Sequence, residues 1–416
     1  MTVTRYLLSI LLAATPAVAA PFRAGAAKAD ITPANSQWLM GYNARKSTGV
    51  LDRIWHRAVV MESGGQQFAL VASDLCLFSP TVYDEAAKAV ERETGIPRTR
   101  FWWSVTHSHA APEVGPPGVY KALLGRSDHE YDREYAKLVE DALVRAVKEA
   151  RANLRPARIA IGQGVSMANI NRRAKDVDGQ VSLGLNPDGP ADRQVGVIRI
   201  EGEDGRPIAA IANYAIHGTV MSGQNLLISG DAPGTVSAYL EQKVGAPVLF
   251  VNSAAGNLAP IYSVYADAKS GHLSQFRVLL GDRVLAALAS LGAASGDVVM
   301  SASEVAIATP QRAGLDWPAE LADYRERVPV RIWRINDTVI WAAPVELFCE
   351  IAMAVRAASP FAHTFYFGYT NGWLGYLPTA AAFAEGGYEP KTSVFTEKAE
   401  RDVTDGVIAA LQGMKR

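Results

Sequence analysis

The residues best suited to chemistry cluster first in Ser104-Val-Thr-His107-Ser-His109-Ala-Ala-Pro112. Two imidazoles two positions apart at a strand end would leave the same face, because strand side chains alternate. Zinc accepts neutral imidazole readily but needs three or four convergent donors. The pair therefore begins a metal site only if further ligands follow. His217 closes the apolar run Ile208 to Ile216, with Gly218 free to turn the chain, and Glu346 follows a strand and Pro344. Each has an ordinary alternative, a hydrogen-bonded core histidine in the first case and an acid favoured by a helix dipole in the second. Their common placement argues for more. His107, His217 and Glu346 all stand just past the carboxyl end of a predicted buried strand, the edge where ligands gather in α/β sheets. Two histidines and a carboxylate would leave zinc an open position for water, whose pKa such an ion lowers from about 16 to about 7. No H-E-x-x-H, G-x-S-x-G or P-loop competes with this reading. His56, His129, His272 and His363 lack partners at ligand spacing and are expected to be structural or superficial.

The elements that must position these residues can be placed from periodicity. Strands are predicted over 22–30, 67–73, 100–106, 157–162, 194–200, 207–217, 247–252, 298–308, 328–335, 338–343 and 364–369. Helices are predicted over 80–93, 128–154, 234–244, 274–291 and 346–358, the second with Leu138, Leu143, Val144 and Val147 on one apolar face. Strand, helix and strand between 67 and 106 make a βαβ unit. No repeat, low-complexity tract or linker divides the chain, so the economical arrangement is α/β, one domain over 21–416 with mixed sheets and helices packed outside.

Composition bounds the function. The chain has 416 residues, 49% apolar and 20% charged, with a formal net charge of −1. With no long basic run, nucleic acid is not an expected partner. Arg5, the apolar stretch 6–14 and Ala17-Val18-Ala19 read as a secretory signal peptide over 1–20, which predicts a secreted or periplasmic product. No later run reaches the 18 or so apolar residues of a membrane span. Cys76 and Cys349 fit either one disulfide or two separate buried thiols.

The chain resembles the neutral (non-lysosomal) ceramidases along most of its length after residue 20. Ala29-Asp-Ile-Thr32 and Met40-Gly-Tyr42 are similar to that family's amino-terminal signature, and Thr106-His-Ser-His-Ala-Ala-Pro112 to its H-T-H-S-G-P segment. Ala215-Ile-His-Gly-Thr-Val-Met221 with Ile228-Ser-Gly-Asp231 resembles its V-H-G-T-S-M and I-S-G-D pair. Pro344-Val-Glu-Leu-Phe348 stands at its P-G-E-F, and Thr370-Asn-Gly-Trp-Leu-Gly-Tyr376 with Tyr388-Glu389 fits its late tyrosine-rich segment. The resemblance implies one zinc ion held by His107, His217, Glu346 and Tyr376. It also implies that His109 meets the scissile amide, and that Arg172 with Asn171, Asn257 and Tyr388 contacts the substrate. Ceramide is then the first substrate to expect, with transient contact at a membrane surface. Two departures stand out. Where the family reads G-D-V-S-P, with Asp and Ser assigned to catalysis, this chain reads Gly256-Asn-Leu-Ala-Pro260. Asn257 cannot accept a proton and Ala259 cannot attack a carbonyl, so a serine mechanism through that position is excluded. The chain also ends soon after the tyrosine segment, so the family's carboxy-terminal sandwich domain is expected to be absent.

These readings make the protein a zinc hydrolase of an N-acyl amide bond. His109 would move the proton and Tyr388 would bind the developing oxyanion. Asp231 either orients a histidine or caps its loop. The altered 257 and 259 positions motivate a competing class, an exported protein that keeps its metal and binds a lipid or cell-envelope ligand without turnover. An esterase using an unrecognised serine is a third reading.

Overall fold

Strands buried on both faces need cover on both sides, and the computed structural model, which describes residues 21–126, 129–261 and 272–415, supplies it in layers. The predicted signal peptide and the side chain of His272 lie outside the described residues. The larger sheet has eight strands in the order Val248–Asn252, Pro207–Tyr214, Gln194–Gly202, Arg155–Val165, Arg23–Asp30, Trp55–Ser63, Gln66–Ser73 and Phe101–Val105. Its interior neighbours are antiparallel, while each edge strand runs parallel to its neighbour after a helical crossover. The crossovers are the helices Pro80–Thr94 and Asp231–Val244. A second sheet, Met300–Ala308, Arg327–Ile335, Thr338–Ala342 and His363–Phe367, has one parallel pair, joined through the helix Cys349–Ala358.

The two sheets face each other across aromatic residues. Phe68 stacks on Trp333 at 3.9 Å and meets Trp102 edge-on at 5.4 Å, with Leu70, Leu249, Ile340 and Phe367 filling the same core. Edge-to-face and offset pairs of this kind add about 0.5–1.5 kcal/mol each beyond burial. Helices cover the outer faces, Arg133–Ala152 and Asp231–Val244 on the larger sheet, Cys349–Ala358 and Ala399–Lys415 on the smaller. The class is α/β with mixed sheets and external helices, as the sequence predicts.

Several expectations shift in detail. Asp132 caps the long helix by accepting from the amides of Glu134 and Tyr135, so it begins at Arg133 rather than 128. Its buried face is Tyr135, Val139, Ala142, Leu143, Ala146, Val147 and Ala150, whereas Leu138 is exposed and Val144 only partly covered. The helix expected over 274–291 is interrupted by a π-turn at Arg277–Gly281. The helix expected from 346 starts at Cys349, leaving Glu346 in a two-residue strand, Glu346–Leu347. The strand Trp55–Ser63, the hairpin Asn169–Lys175 with Val181–Asn186, and the helix Ala399–Lys415 were not anticipated. Cys76 and Cys349 are separate buried thiols. Among the described residues no helix is long and apolar enough to cross a membrane.

His56 shows how the core treats a titratable group. It is fully buried, with Nε2 donating to the carbonyl of Val139 at 3.0 Å and Nδ1 facing the Ser73 hydroxyl at 2.6 Å. Trp103 donates to the same hydroxyl. Burial, with a smaller contribution from Arg145, lowers its pKa to about 4. The folded state therefore resists a proton that the unfolded chain takes up at about 6.5, so stability is complete above that pH and falls as pH drops towards 4. The expected loss between pH 7 and pH 4 is about 3 kcal/mol from this residue. Denaturant melts should show that loss in the wild type and not in His56→Gln.

Candidate metal centre and cavity

Three strands, each paired in parallel across a helical crossover, bring their carboxyl ends to one place. Phe101–Val105 leads to His107, Pro207–Tyr214 to His217, and Thr338–Ala342 to Glu346. The strand before His107 stops at Val105, and His107 takes a left-handed backbone with φ of 64°. Its ring and that of His109 meet edge-on at 4.7 Å, so a turn brings them together rather than the alternation of a strand. The two histidine segments then join by their backbones. His109 N donates to the carbonyl of Gly218 at 2.8 Å, and Ser108 bridges Gly218 in parallel. The approach needs glycine, since a Cβ at 218 would lie 2.5 Å from the His107 carbonyl oxygen and 2.7 Å from Ser108 Cα.

The donor atoms are fixed by hydrogen bonds on their far sides. His107 Nδ1 donates to the carbonyl of Cys76 at 3.0 Å and His217 Nδ1 to that of Leu258 at 2.9 Å. Both Nε2 atoms face the same carboxylate oxygen, Glu346 Oε2, at 3.3 and 3.2 Å. The other oxygen, Oε1, accepts from Trp373 Nε1 at 3.0 Å. All three side chains are buried. Burial, reinforced by Arg172 and His107, lowers the His217 pKa to about 3, so its imidazole is neutral. Among the described residues, His107, His217 and Glu346 form a group able to hold a metal ion. Cys76, His107 and His109 form another, but burial raises the Cys76 thiol far above its ordinary pKa and keeps it protonated.

The remaining predicted residues divide. Tyr376 pairs in register with Glu346 across a short parallel bridge, and its hydroxyl accepts from Arg172 Nη2 at 3.1 Å. Arg172 also donates Nη1 to His217 Nε2 at 2.9 Å and Nε to Glu389 at 2.9 Å. Burial opposes its charge, but Tyr376, Glu389 and Glu346 more than restore it. His109, Arg172, Tyr376 and Tyr388 all line a cavity of about 1030 Å³, with Tyr42 and Glu113. Asn171, Asn257 and Asp231 do not line it. Asn171 spends its amide on Pro190 and Arg173, and Asn257 on Glu350 and the first amide of the helix Cys349–Ala358. Asp231 accepts from the amides of Val220, Met221 and Ala232, with no histidine among its hydrogen-bond partners in the described residues, so it acts as the loop cap. Ala259 presents its methyl group to the cavity.

Sequence reasoning missed the residues that brace the site. Trp373 and Tyr369 grip Glu346, and Glu389 anchors both Arg172 and Arg173. Trp373 lies in a segment noted for its tyrosines, but nothing local signals that its indole reaches a residue 27 positions earlier. Of the other histidines, His56 is structural, and His129 stacks on Trp38 at 3.9 Å and pairs with Glu113.

The family described as neutral/alkaline non-lysosomal ceramidase, N-terminal, matches residues 22–274. Over 257 residues the chain is 31% identical to the neutral ceramidase of Pseudomonas aeruginosa, covering 58% of this chain and 37% of that protein. It is 28% identical over 277 residues to neutral ceramidase B of Dictyostelium discoideum, covering 61% and 35%. Little more than a third of those relatives' length is thus matched. Among solved structures, a ceramidase complexed with C2 is similar in fold, with a TM-score of 0.79 at 20% identity over 95% of this chain and 75% of that one. The P. aeruginosa neutral ceramidase structure gives 0.76 at 21% identity, over 93% and 73%. The family match ends before Glu346 and Tyr376, whereas the likeness of fold takes in nearly the whole chain.

The Gly218 contact is the most exposed to test. Gly218→Ala should force the His107 and His217 segments apart, costing about 1–3 kcal/mol in a denaturant melt, the usual range for overpacking. Metal uptake, followed by competition with a chromophoric chelator, should weaken in parallel.

Proposed function

Because the chain belongs to the neutral/alkaline non-lysosomal ceramidase family, we propose that it is an exported, zinc-dependent hydrolase cleaving the amide bond of ceramide or a related N-acyl lipid or amino compound. One observation carries the reading. The Nε2 atoms of His107 and His217 approach one oxygen of Glu346 at 3.3 and 3.2 Å, while the proton of each ring is committed to a carbonyl on the other side. Lone pairs gathered in this way call for a cation, and the Arg172 guanidinium already meets that of His217 at 2.9 Å. Donors about 2.0–2.1 Å from a tetrahedral zinc lie about 3.3 Å apart, so the spacing suits one zinc per chain. Tyr376, in register with Glu346, is the proposed fourth ligand. Bound there, zinc supplies activation of water and polarisation of the scissile carbonyl.

The chain's own residues do the rest. His109 Nε2 lies 3.1 Å from His107 Nε2, and no described residue bonds to its buried Nδ1. Burial and the neighbouring His107 and His217 hold its pKa well below the ordinary value, so it stands ready as a neutral base. It takes a proton from the attacking water and returns it to the leaving amine. Tyr388, partly exposed on the cavity wall, keeps its phenolic proton because burial raises its pKa to about 12. It donates to the oxyanion as charge develops. Arg172, whose Nε is anchored by Glu389, orients the carbonyl. Leu124 and Leu183 line the cavity while remaining 40% and 53% exposed, which suits an acyl chain arriving from a lipid surface. Nucleic acid has no place in this scheme.

A second reading, metal-dependent binding of a lipid or envelope ligand without turnover, is favoured by Asn257 and Ala259, which offer neither base nor nucleophile.

The mature protein should release amine from a fluorogenic N-acyl substrate, lose that activity on chelation, and regain it with Zn²⁺. Tyr388→Phe should lower kcat by about 10²–10³ with little change in KM, as removal of an oxyanion donor does. Zinc uptake with no turnover of ceramide or other N-acyl compounds would favour the binding reading. Turnover by metal-free protein, or labelling by a serine-directed phosphonate, would sink the proposed mechanism.

A further inference from the structure

Asn252 ends the strand Val248–Asn252 and is completely buried. Its carboxamide spans the two histidine segments. Oδ1 accepts from the amide of Ile216 at 3.0 Å, and Nδ2 donates to the carbonyl of Ile216 at 2.6 Å and to that of Thr106 at 3.1 Å. Ile216 directly precedes His217, and Thr106 directly precedes His107. One planar group therefore holds, through rigid bonds, the backbone just before each of two ligands that come from strands far apart in the sheet order. The strand's own placement is secured independently, since Gly368 N donates to the Asn252 carbonyl at 2.9 Å. The geometry points to Asn252 as the positioning residue of the metal centre: it sets the separation and orientation of His107 and His217 and so the affinity of the site.

Its chemistry suits no close substitute. The bonds require one acceptor and two donor hydrogens on a short side chain, and only asparagine provides both at that length. Aspartate would turn a second oxygen towards the carbonyls of Thr106 and Ile216. Its contacts would be repulsive just where the ligand segments must be held, while its volume would be unchanged.

The inference rests on the proposed reading of His107, His217 and Glu346 as metal ligands, and the test separates the two. Zinc affinity of the full-length mature protein is measured by chelator competition, alongside the melting temperature of the metal-free form, for the wild type, Asn252→Asp, Asn252→Ala and Val403→Ala. Val403 is buried in the helix Ala399–Lys415, on the far side of the smaller sheet, and serves as a control for plain loss of stability. Both Asn252 variants should bind zinc about 10–100-fold more weakly, the range for groups that orient ligands. Val403→Ala should lower the metal-free melting temperature yet leave affinity within about threefold of wild type, the difference being the signature of positioning. Unchanged affinity in either folded Asn252 variant, or an equal loss in Val403→Ala, would overturn the assignment. Failure of the wild type to bind zinc would remove the metal-centre reading, and this inference with it. Binding without hydrolysis would leave Asn252 its role and remove only the proposed reaction.

Discussion

The bonds from Nδ1 of His107 and His217 to the carbonyls of Cys76 and Leu258 decide what the site can be. An imidazole whose Nδ1 proton is committed to a carbonyl presents Nε2 as a bare lone pair. Two such pairs then confront a carboxylate among buried side chains, with Arg172 Nη1 donating to that of His217. Had either ring been turned over, the same three residues would have formed an ordinary hydrogen-bonded ion pair. The rest of the fold can be understood as holding those two carbonyls still.

The loop 253–260 does much of that holding. It leaves the edge of the larger sheet, and within a few residues Gly256 packs on the backbone of Glu346, Asn257 accepts the Arg172 amide, and Leu258 fixes His217. A segment that might have carried the reacting groups thus works as a hub. Around it, Arg172, Arg173, Lys175, Glu385 and Glu389 tie the small hairpin to the segment bearing Tyr388. Arg172, Arg173 and Glu389 are buried, and buried charges of this kind add little net stability but penalise any arrangement that separates them. The cavity wall therefore holds its shape without an extensive apolar core of its own.

The apolar strands before His107, His217 and Glu346 are legible because doubly buried strands have an unmistakable composition, and the crossover helices of the larger sheet because each ends at a glycine, Gly95 or Gly245. What lay beyond local pattern was harder to see. Arg172 sits in Asn-Ile-Asn-Arg-Arg-Ala-Lys, a polar hairpin strand with no alternation to reveal it. Trp55–Ser63 lacks a regular alternation of apolar and polar residues, although the Gly64-Gly65 turn after it, with φ of 56° and 74°, is a strong hairpin signal. Leu138 was misjudged because helical spacing alone does not say which stripe faces the sheet. Asn171, Asn257 and Asp231 look chemical by type, yet each is consumed by backbone groups, and Asn257 by Glu350 as well, which sequence cannot register.

The amide–carboxylate contact between Asn257 and Glu350, at 2.7 Å, couples what each position can carry. An aspartate at 257, the residue found in the resembling family, would bring two carboxylates together against a helix start, each raising the cost of ionising the other. Asn257→Asp is thus unfavourable unless Glu350 changes as well. The two positions are therefore expected to vary as a pair: a charge gained at one is tolerated best when one is given up at the other.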